Sequence, residues 1–158
     1  MNNLSFNIKN TRDLYNKLNE DYKEYSDDRL SSRKALNFAF TAWHLSDWIY
    51  NEFNNKLKVD YNNLYSFQSN LKKLCPSLQF MHDLTNGTKH YTLTKHNPRI
   101  KDTNLHIGDF NDDFNRDFDI SMMVIKLEDG TRVCFEDEIK IVMNFWTKYL
   151  KETIKMDL

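Results

Sequence analysis

Apolar residues recur at steps of three and four over most of the chain, which is the spacing of amphipathic helices. The pattern predicts helices over residues 11–25, 29–56, 60–74, 76–90 and about 136–155. The second segment is apolar almost all round, which is typical of a central helix. We therefore expect the other helices to pack around it.

Two β-prone runs precede the last helix. Residues 120–127 and 132–135 flank Glu128-Asp129-Gly130-Thr131, and an Asp-Gly pair between such runs is typical of a β-hairpin. Residues 92–119 sustain no period, and their scattered Asn, Asp, Pro and Gly residues predict an irregular, mobile loop. The predicted fold is mainly α: a bundle of about five helices with one small β-hairpin (about 120–135) before the C-terminal helix.

Length and composition support a single domain over 1–158, because 158 residues can bury a continuous core without metal or disulfide support. Only three Gly and two Pro interrupt the chain, which favours long helices over many strands. Trp43, Trp48 and Trp146 lie at core-type spacing, so we expect them to pack in the interior.

Charge and cysteine usage narrow the class of protein. The 22 basic and 23 acidic residues nearly balance, so charge alone demands neither a nucleic acid nor a membrane. Cys75 and Cys134 stand far apart without a metal-ligand spacing, which suits a reducing compartment. The N-terminus lacks a signal-peptide pattern and no run is long enough to span a membrane, so we predict a cytoplasmic protein.

One polar constellation falls at the end of the fourth predicted helix. Asp83, Asn86 and His90 follow at i, i+3 and i+7, which places them on one face, with Lys89 at its edge. A histidine, a carboxylate to orient it and an ammonium for phosphate are the groups that acid/base cleavage of a phosphodiester uses. The structural alternative is that Asn86-Gly87 ends the helix and His90 is a surface residue.

A second constellation would suit a metal. His44 and Asp47 lie one turn apart on the central helix, where we expect both to be partly buried. If the second and fourth helices pack together, His82 could join them as a divalent-metal site. The His82-Asp83 pair is similar to the signature of HD-type phosphohydrolases. A buried structural histidine is the alternative for His44.

Other catalytic classes lack support. The sequence contains no Walker-type loop, no G-x-G-x-x-G and no Gly-flanked Ser, and neither Cys adjoins a His. We therefore predict no cofactor and no nucleophilic catalysis.

Two stretches carry a resemblance to known proteins. NFAFTAWHLSDWI (37–49) and LCPSLQFMHDLTNGTKHY (74–91), with their HxxDW and NGxKH motifs, resemble a widespread group of uncharacterised bacterial and phage proteins. More distantly, the bundle and the segment 85–90 resemble the HEPN superfamily. Its ribonucleases use an Arg, often followed by a polar residue, and a His about five positions on. Asn86 and His90 match these last two positions, whereas Thr85 replaces the Arg.

The resemblance implies a protein of toxin-antitoxin or phage-defence systems that binds RNA or a nucleotide, acts as a homodimer and cleaves RNA without metal. In our hypothesis His90 would be the general acid/base, Lys89 would hold phosphate, Asn86 would position it, and Asp83 would orient His90. The first alternative is a non-catalytic module that docks on a protein partner through the 92–119 loop or the hairpin. The second is a metal-dependent phosphohydrolase that uses His44, Asp47 and His82.

Overall fold

The computed structural model describes residues 5–90, 97–106 and 121–158. In chain order the elements are α1 (Thr11–Asp27), α2 (Ser32–Glu52), α3 (Asn54–Leu57), α4 (Leu64–Leu74), α5 (Ser77–Lys89), β1 (Ile100–His106), β2 (Met122–Leu127), β3 (Arg132–Cys134) and α6 (Phe135–Lys148). A π-helical segment, Tyr149–Ile154, continues α6. None of the helices in these ranges combines the length and apolarity that a membrane crossing requires.

Helix α2 is the centre of the bundle, as its all-round apolar pattern predicts. Helices α1, α4, α5 and α6 all contact it. Trp146 of α6 is fully buried, and its indole N–H donates to the Ala42 carbonyl at 3.1 Å. Trp43 is 8% exposed and Trp48 packs against the core, so the predicted interior position of the tryptophans is confirmed.

Local side chains set the helix ends. Asn10 caps α1 by accepting from the Asp13 N–H, and Asn63 forms a capping box with Ser66 at the start of α4. Pro76 precedes α5 as its cap instead of occupying the first helical position. The helix predicted over 29–56 is interrupted at Phe53, which separates α2 from α3.

The predicted hairpin is confirmed as β2 and β3, which pair antiparallel with Ile125 opposite Val133. Gly130 has a φ of +88° in the connection, a conformation that glycine adopts without steric cost. Buried Ile125 and Leu127 attach the ribbon to the core. The Asp-Gly signal therefore located the turn correctly.

Strand β1 is a correction to the predicted loop. Residues 100–106 pair antiparallel with β2, giving a three-stranded sheet in the order β1-β2-β3. Six of the seven side chains of β1 are exposed, so the strand carries no alternation of apolar and polar residues to read. Backbone pairing with β2 holds it. Residues 92–96 and 107–119 of the predicted loop lie outside the described residues.

Candidate functional site

Helix α5 sends its polar side chains in different directions. Asp83 is buried, Asn86 is half-buried, and Lys89 and His90 are exposed. The helix continues through Gly87 to Lys89, so Asn86-Gly87 does not terminate it. His90 then leaves the helix with an extended backbone (φ −125°, ψ 123°). Asp83 and His90, which were predicted to act together on one face, therefore differ in exposure: Asp83 is covered and His90 is open to solvent.

Asp83 lies 3% exposed between α5 and the start of β1. Its Oδ2 accepts hydrogen bonds from the backbone N–H groups of Arg99 and Ile100 at 2.7 and 3.2 Å. Its Oδ1 accepts a third from Gln79 Nε2 at 2.7 Å. These hydrogen bonds join α5 to the segment entering β1. This arrangement differs from the hypothesis that Asp83 orients His90.

Thr85, at the position where the HEPN motif has Arg, faces the interior. Its side chain is 8% exposed and its hydroxyl donates to the Met81 carbonyl at 2.7 Å. This position of the motif therefore offers no positive charge in this chain. Lys89 is exposed at the end of the same helix, and no carboxylate within the described ranges forms a salt bridge with it.

The imidazole of His82 joins α5 to α2. It stacks on the Trp43 ring with 4.2 Å between the ring centroids, and its Nε2 lies 2.7 Å from Asn86 Nδ2. The ammonium of Lys72, on α4, lies 5.6 Å from the centroid of the same Trp43 ring. Burial lowers the pKa of Lys72, while the charge of Asp83 opposes that shift. The stacking of His82 on Trp43 shows that α2 and α5, which are the second and fourth predicted helices, pack together.

His44 is exposed on α2, which corrects the expectation that it is partly buried, whereas Asp47 is half-buried as expected. The pKa of His44 is lowered from 6.5. Desolvation by the surrounding side chains is the largest cause, Asp47 opposes the shift, and the positive charges of Lys89 and Lys17 add to it. The imidazole is therefore mainly uncharged at neutral pH.

Lys17 reaches this region from α1. Its ammonium lies 2.8 Å from the hydroxyl of Thr41, one turn before His44, and 2.5 Å from the carboxylate of Asp21. The charges of Lys17 on α1 and Lys89 on α5 both act on His44 of α2, and we call these three residues the basic surface. Since Asp21 already neutralises Lys17, Lys89 is the more available cation of the basic surface.

The basic surface was only partly visible in the sequence. Lys89 was singled out from its motif, and His44 was singled out for metal binding. Lys17 was missed because it is an ordinary lysine on an amphipathic helix, with no local signal of where its ammonium lies. Lys17 lies on the polar face of α1, and the packing of α1 on α2 places it at the basic surface.

The predicted metal site is not assembled. Within residues 5–90, 97–106 and 121–158, no three His, Cys, Asp or Glu side chains lie in a group suited to hold a metal ion. His44 is exposed, His82 stacks on Trp43, and Asp47 accepts from the amide of Asn51 at 3.1 Å. These three residues do not form a ligand set.

Comparisons of the chain with protein-family models, with curated proteins and with solved structures find no match. The chemistry of the basic surface is therefore the basis of the functional argument. Its exposed ammonium and imidazole, together with the exposed His90 at the end of α5, are groups that bind phosphate and transfer protons.

Proposed function

We propose that this protein binds single-stranded RNA on the basic surface and cleaves it without a metal ion, using His90 as a general acid/base. The observation that carries the proposal is the position of Lys89. Its ammonium is exposed beside His90, without a salt-bridge partner in the described part of the chain, and its charge acts on His44 across the surface. An exposed ammonium in this position is suited to a phosphate group.

The reaction is an attack of the ribose 2′-hydroxyl oxygen on the adjacent phosphorus. A new P–O2′ bond forms, the P–O5′ bond breaks, and the products are a 2′,3′-cyclic phosphate and a 5′-hydroxyl. One group must take the proton of the 2′-hydroxyl and another must give a proton to the leaving O5′. No metal and no external reactant is required.

Two imidazoles supply these roles. His44, kept uncharged by its surroundings, is suited to accept the 2′-hydroxyl proton, and His90 in its protonated form donates to O5′. Lys89 stabilises the negative charge that grows on the phosphate oxygens, and Asn86 beside it supplies an amide for positioning. In this scheme Asp83 is a structural residue that holds β1 against α5.

The resemblance to HEPN ribonucleases supports the same reaction class, with one change of parts. Thr85 is buried where those enzymes have an Arg, so in the proposal Lys89 provides the positive charge from the far end of the motif. Lys is a point charge and lacks the bidentate geometry of Arg. We therefore expect slower cleavage than an Arg-containing site gives. The same resemblance supports a role in toxin-antitoxin or phage-defence systems.

The test uses a fluorescent single-stranded RNA with the intact protein and the variants Lys89→Ala, His90→Ala and Lys73→Ala. Lys73 is an exposed lysine on α4 and serves as the matched control. Binding is followed by anisotropy against salt concentration. Removal of Lys89 should reduce the slope of log K on log salt by about 0.7, the share of one phosphate contact on a single strand. The control should change neither slope nor affinity.

Cleavage is followed in the same samples with and without EDTA. His90→Ala should lower the rate by about 100-fold or more, with unchanged RNA affinity, and EDTA should have no effect. Because the pKa of His44 is below 6.5, the acidic limb of the rate profile should lie below pH 6.5 and disappear in His44→Gln. Equal binding and cleavage by all variants would refute the proposal. Cleavage lost in EDTA would favour metal-dependent phosphohydrolysis.

A further inference from the structure

Two polar residues that lie one turn apart on α5 contact each other next to Lys89. His82 Nε2 is 2.7 Å from Asn86 Nδ2, and the His82 ring stacks on Trp43 of α2 with 4.2 Å between the ring centroids. This packing leaves His82 and Asn86 half-buried. The imidazole that contacts Asn86 is therefore held in place by a neighbouring helix.

His82, Asn86 and Lys89 share one face of α5. Successive residues are about 100° apart around a helix, so the directions of Asn86 and Lys89 differ by about 60°, with His82 between them. Lys89 follows Asn86 by about 4.5 Å along the helix axis. All three residues lie within the regular part of α5. The Asn86 amide is thus next to the ammonium that we propose binds phosphate.

The contact with His82 determines which end of the Asn86 amide the fold uses. An amide nitrogen only donates hydrogen bonds, so His82 Nε2 accepts, and the proton of the neutral imidazole is on Nδ1. Asn86 Oδ1 is directed away from His82, and no donor within residues 5–90, 97–106 and 121–158 is bonded to it. The end of the amide that the fold leaves to a ligand is therefore an acceptor.

An acceptor beside Lys89 selects the kind of group that it meets. Phosphate oxygens are acceptors as well, so Asn86 Oδ1 does not bond to them. The ribose 2′-hydroxyl of RNA is a donor that DNA lacks. Each phosphate joins two riboses, and in the proposed reaction the hydroxyl on the attacking side gives its proton to His44. The hydroxyl on the leaving side is therefore the donor that Asn86 is suited to bind.

We propose that Asn86, oriented by His82, accepts a hydrogen bond from a ribose 2′-hydroxyl and so makes the site select RNA over DNA. The inference rests on the proposed RNA-binding function and adds the residues that recognise the sugar. Asn86 contacts the strand, and His82 is a positioning residue that acts through Asn86. Without the acceptor on His82, the Asn86 amide is able to rotate and present its N–H groups to phosphate, which both kinds of strand carry.

The test compares the affinities of one fluorescent RNA and of the DNA with the same sequence, by anisotropy on a timescale shorter than cleavage. The sequence contains only A, C and G, so the sugar is the only difference between the strands. The intact protein should bind the RNA about tenfold more tightly, as one well-formed hydrogen bond allows. Asn86→Ala should bring this ratio close to one with little change in DNA affinity. Asn144→Ala, at an exposed asparagine of α6, is the matched control and should keep the ratio.

Variants of His82 separate positioning from packing. His82→Phe keeps an aromatic ring against Trp43 and removes the acceptor, so it should lower the ratio of RNA to DNA affinity. His82→Gln restores an acceptor and should recover part of the ratio. In the Asn86→Ala background, His82→Phe should not change the ratio further, because the two residues act as one unit. Equal weakening of RNA and DNA binding by His82→Phe would overturn the positioning role. If His82→Phe does not fold, His82→Gln decides.

Long-range proton–nitrogen NMR correlations of the isotope-labelled protein test the orientation without any ligand. At a pH where the imidazole is neutral, His82 should be protonated on Nδ1, and a proton on Nε2 would reverse the Asn86 amide and overturn the proposal. A ratio of RNA to DNA affinity that persists in Asn86→Ala would overturn it as well, and leave strand binding at Lys89 in place. An intact protein that binds neither strand would instead refute the RNA-binding function.

Discussion

Replacement of Asp83 tests whether this residue holds the fold or takes part in catalysis. Its carboxylate accepts hydrogen bonds from the backbone of Arg99 and Ile100 and from the amide of Gln79. In Asp83→Ala the two backbone N–H groups lose an ionised acceptor at a site only 3% exposed. In Asp83→Asn the side-chain oxygen can still accept from the two backbone N–H groups. The new amide N–H₂ then faces Gln79, whose own amide can rotate and present its oxygen.

The two variants should therefore differ in stability. Hydrogen bonds to a charged group contribute about 1.5–3 kcal/mol each, and part of this returns when exposed groups are rehydrated. We expect Asp83→Ala to lower the free energy of unfolding by about 2–4 kcal/mol, and Asp83→Asn by about 1 kcal/mol. Asp102→Asn is the control, since Asp102 is exposed and bonds only to Thr103 and Asn104 among the described contacts.

The assay combines urea denaturation with amide hydrogen exchange. Exchange at Arg99 and Ile100 should accelerate about 10- to 100-fold in Asp83→Ala, because β1 separates from α5 more often. RNA affinity of Asp83→Asn should stay within about twofold of the unaltered protein, which also tests the proposed structural role. An unchanged urea midpoint with unchanged exchange at both amides would refute this reasoning. Lost cleavage in a fully stable Asp83→Asn would restore the hypothesis that Asp83 orients His90.

Two further predictions concern titratable groups outside the basic surface. Cys75 is 2% exposed and burial raises the pKa of its thiol. Iodoacetamide should therefore modify the half-buried Cys134 first, which mass spectrometry can follow. Equal rates of modification at the two thiols in the folded protein would contradict this prediction. Burial raises the pKa of Tyr149 from 10.0 to about 12, so its stabilising contribution is complete below pH 10 and is lost as pH rises through 12. Urea denaturation should show an alkaline loss of stability that is smaller in Tyr149→Phe by at most about 3 kcal/mol, while Tyr25 and Tyr61, whose pKa values burial also raises, still contribute in both proteins.

The corrections to the site have a common physical origin. Residue spacing placed Asp83 and His90 on one helical face, but the segment entering β1 covers Asp83 and leaves His90 exposed. His44 was expected to be partly buried because its neighbours are apolar, yet it lies on the strip of α2 that is open to solvent. Spacing along a chain predicts direction only while the helix continues, and it does not say which strip a neighbouring helix covers.

The elements of this protein whose stability is local could be predicted from the chain alone. Periodic apolar residues determined the helices of the bundle, and Asp129-Gly130 determined the turn of the hairpin, because both signals act over a few neighbouring residues. The remaining features depend on contacts between elements that are distant in sequence. Strand β1 exists because β2 pairs with it, and Asp83 faces inward because Arg99 and Ile100 meet it there. The basic surface likewise needs several elements, so no single segment encodes it.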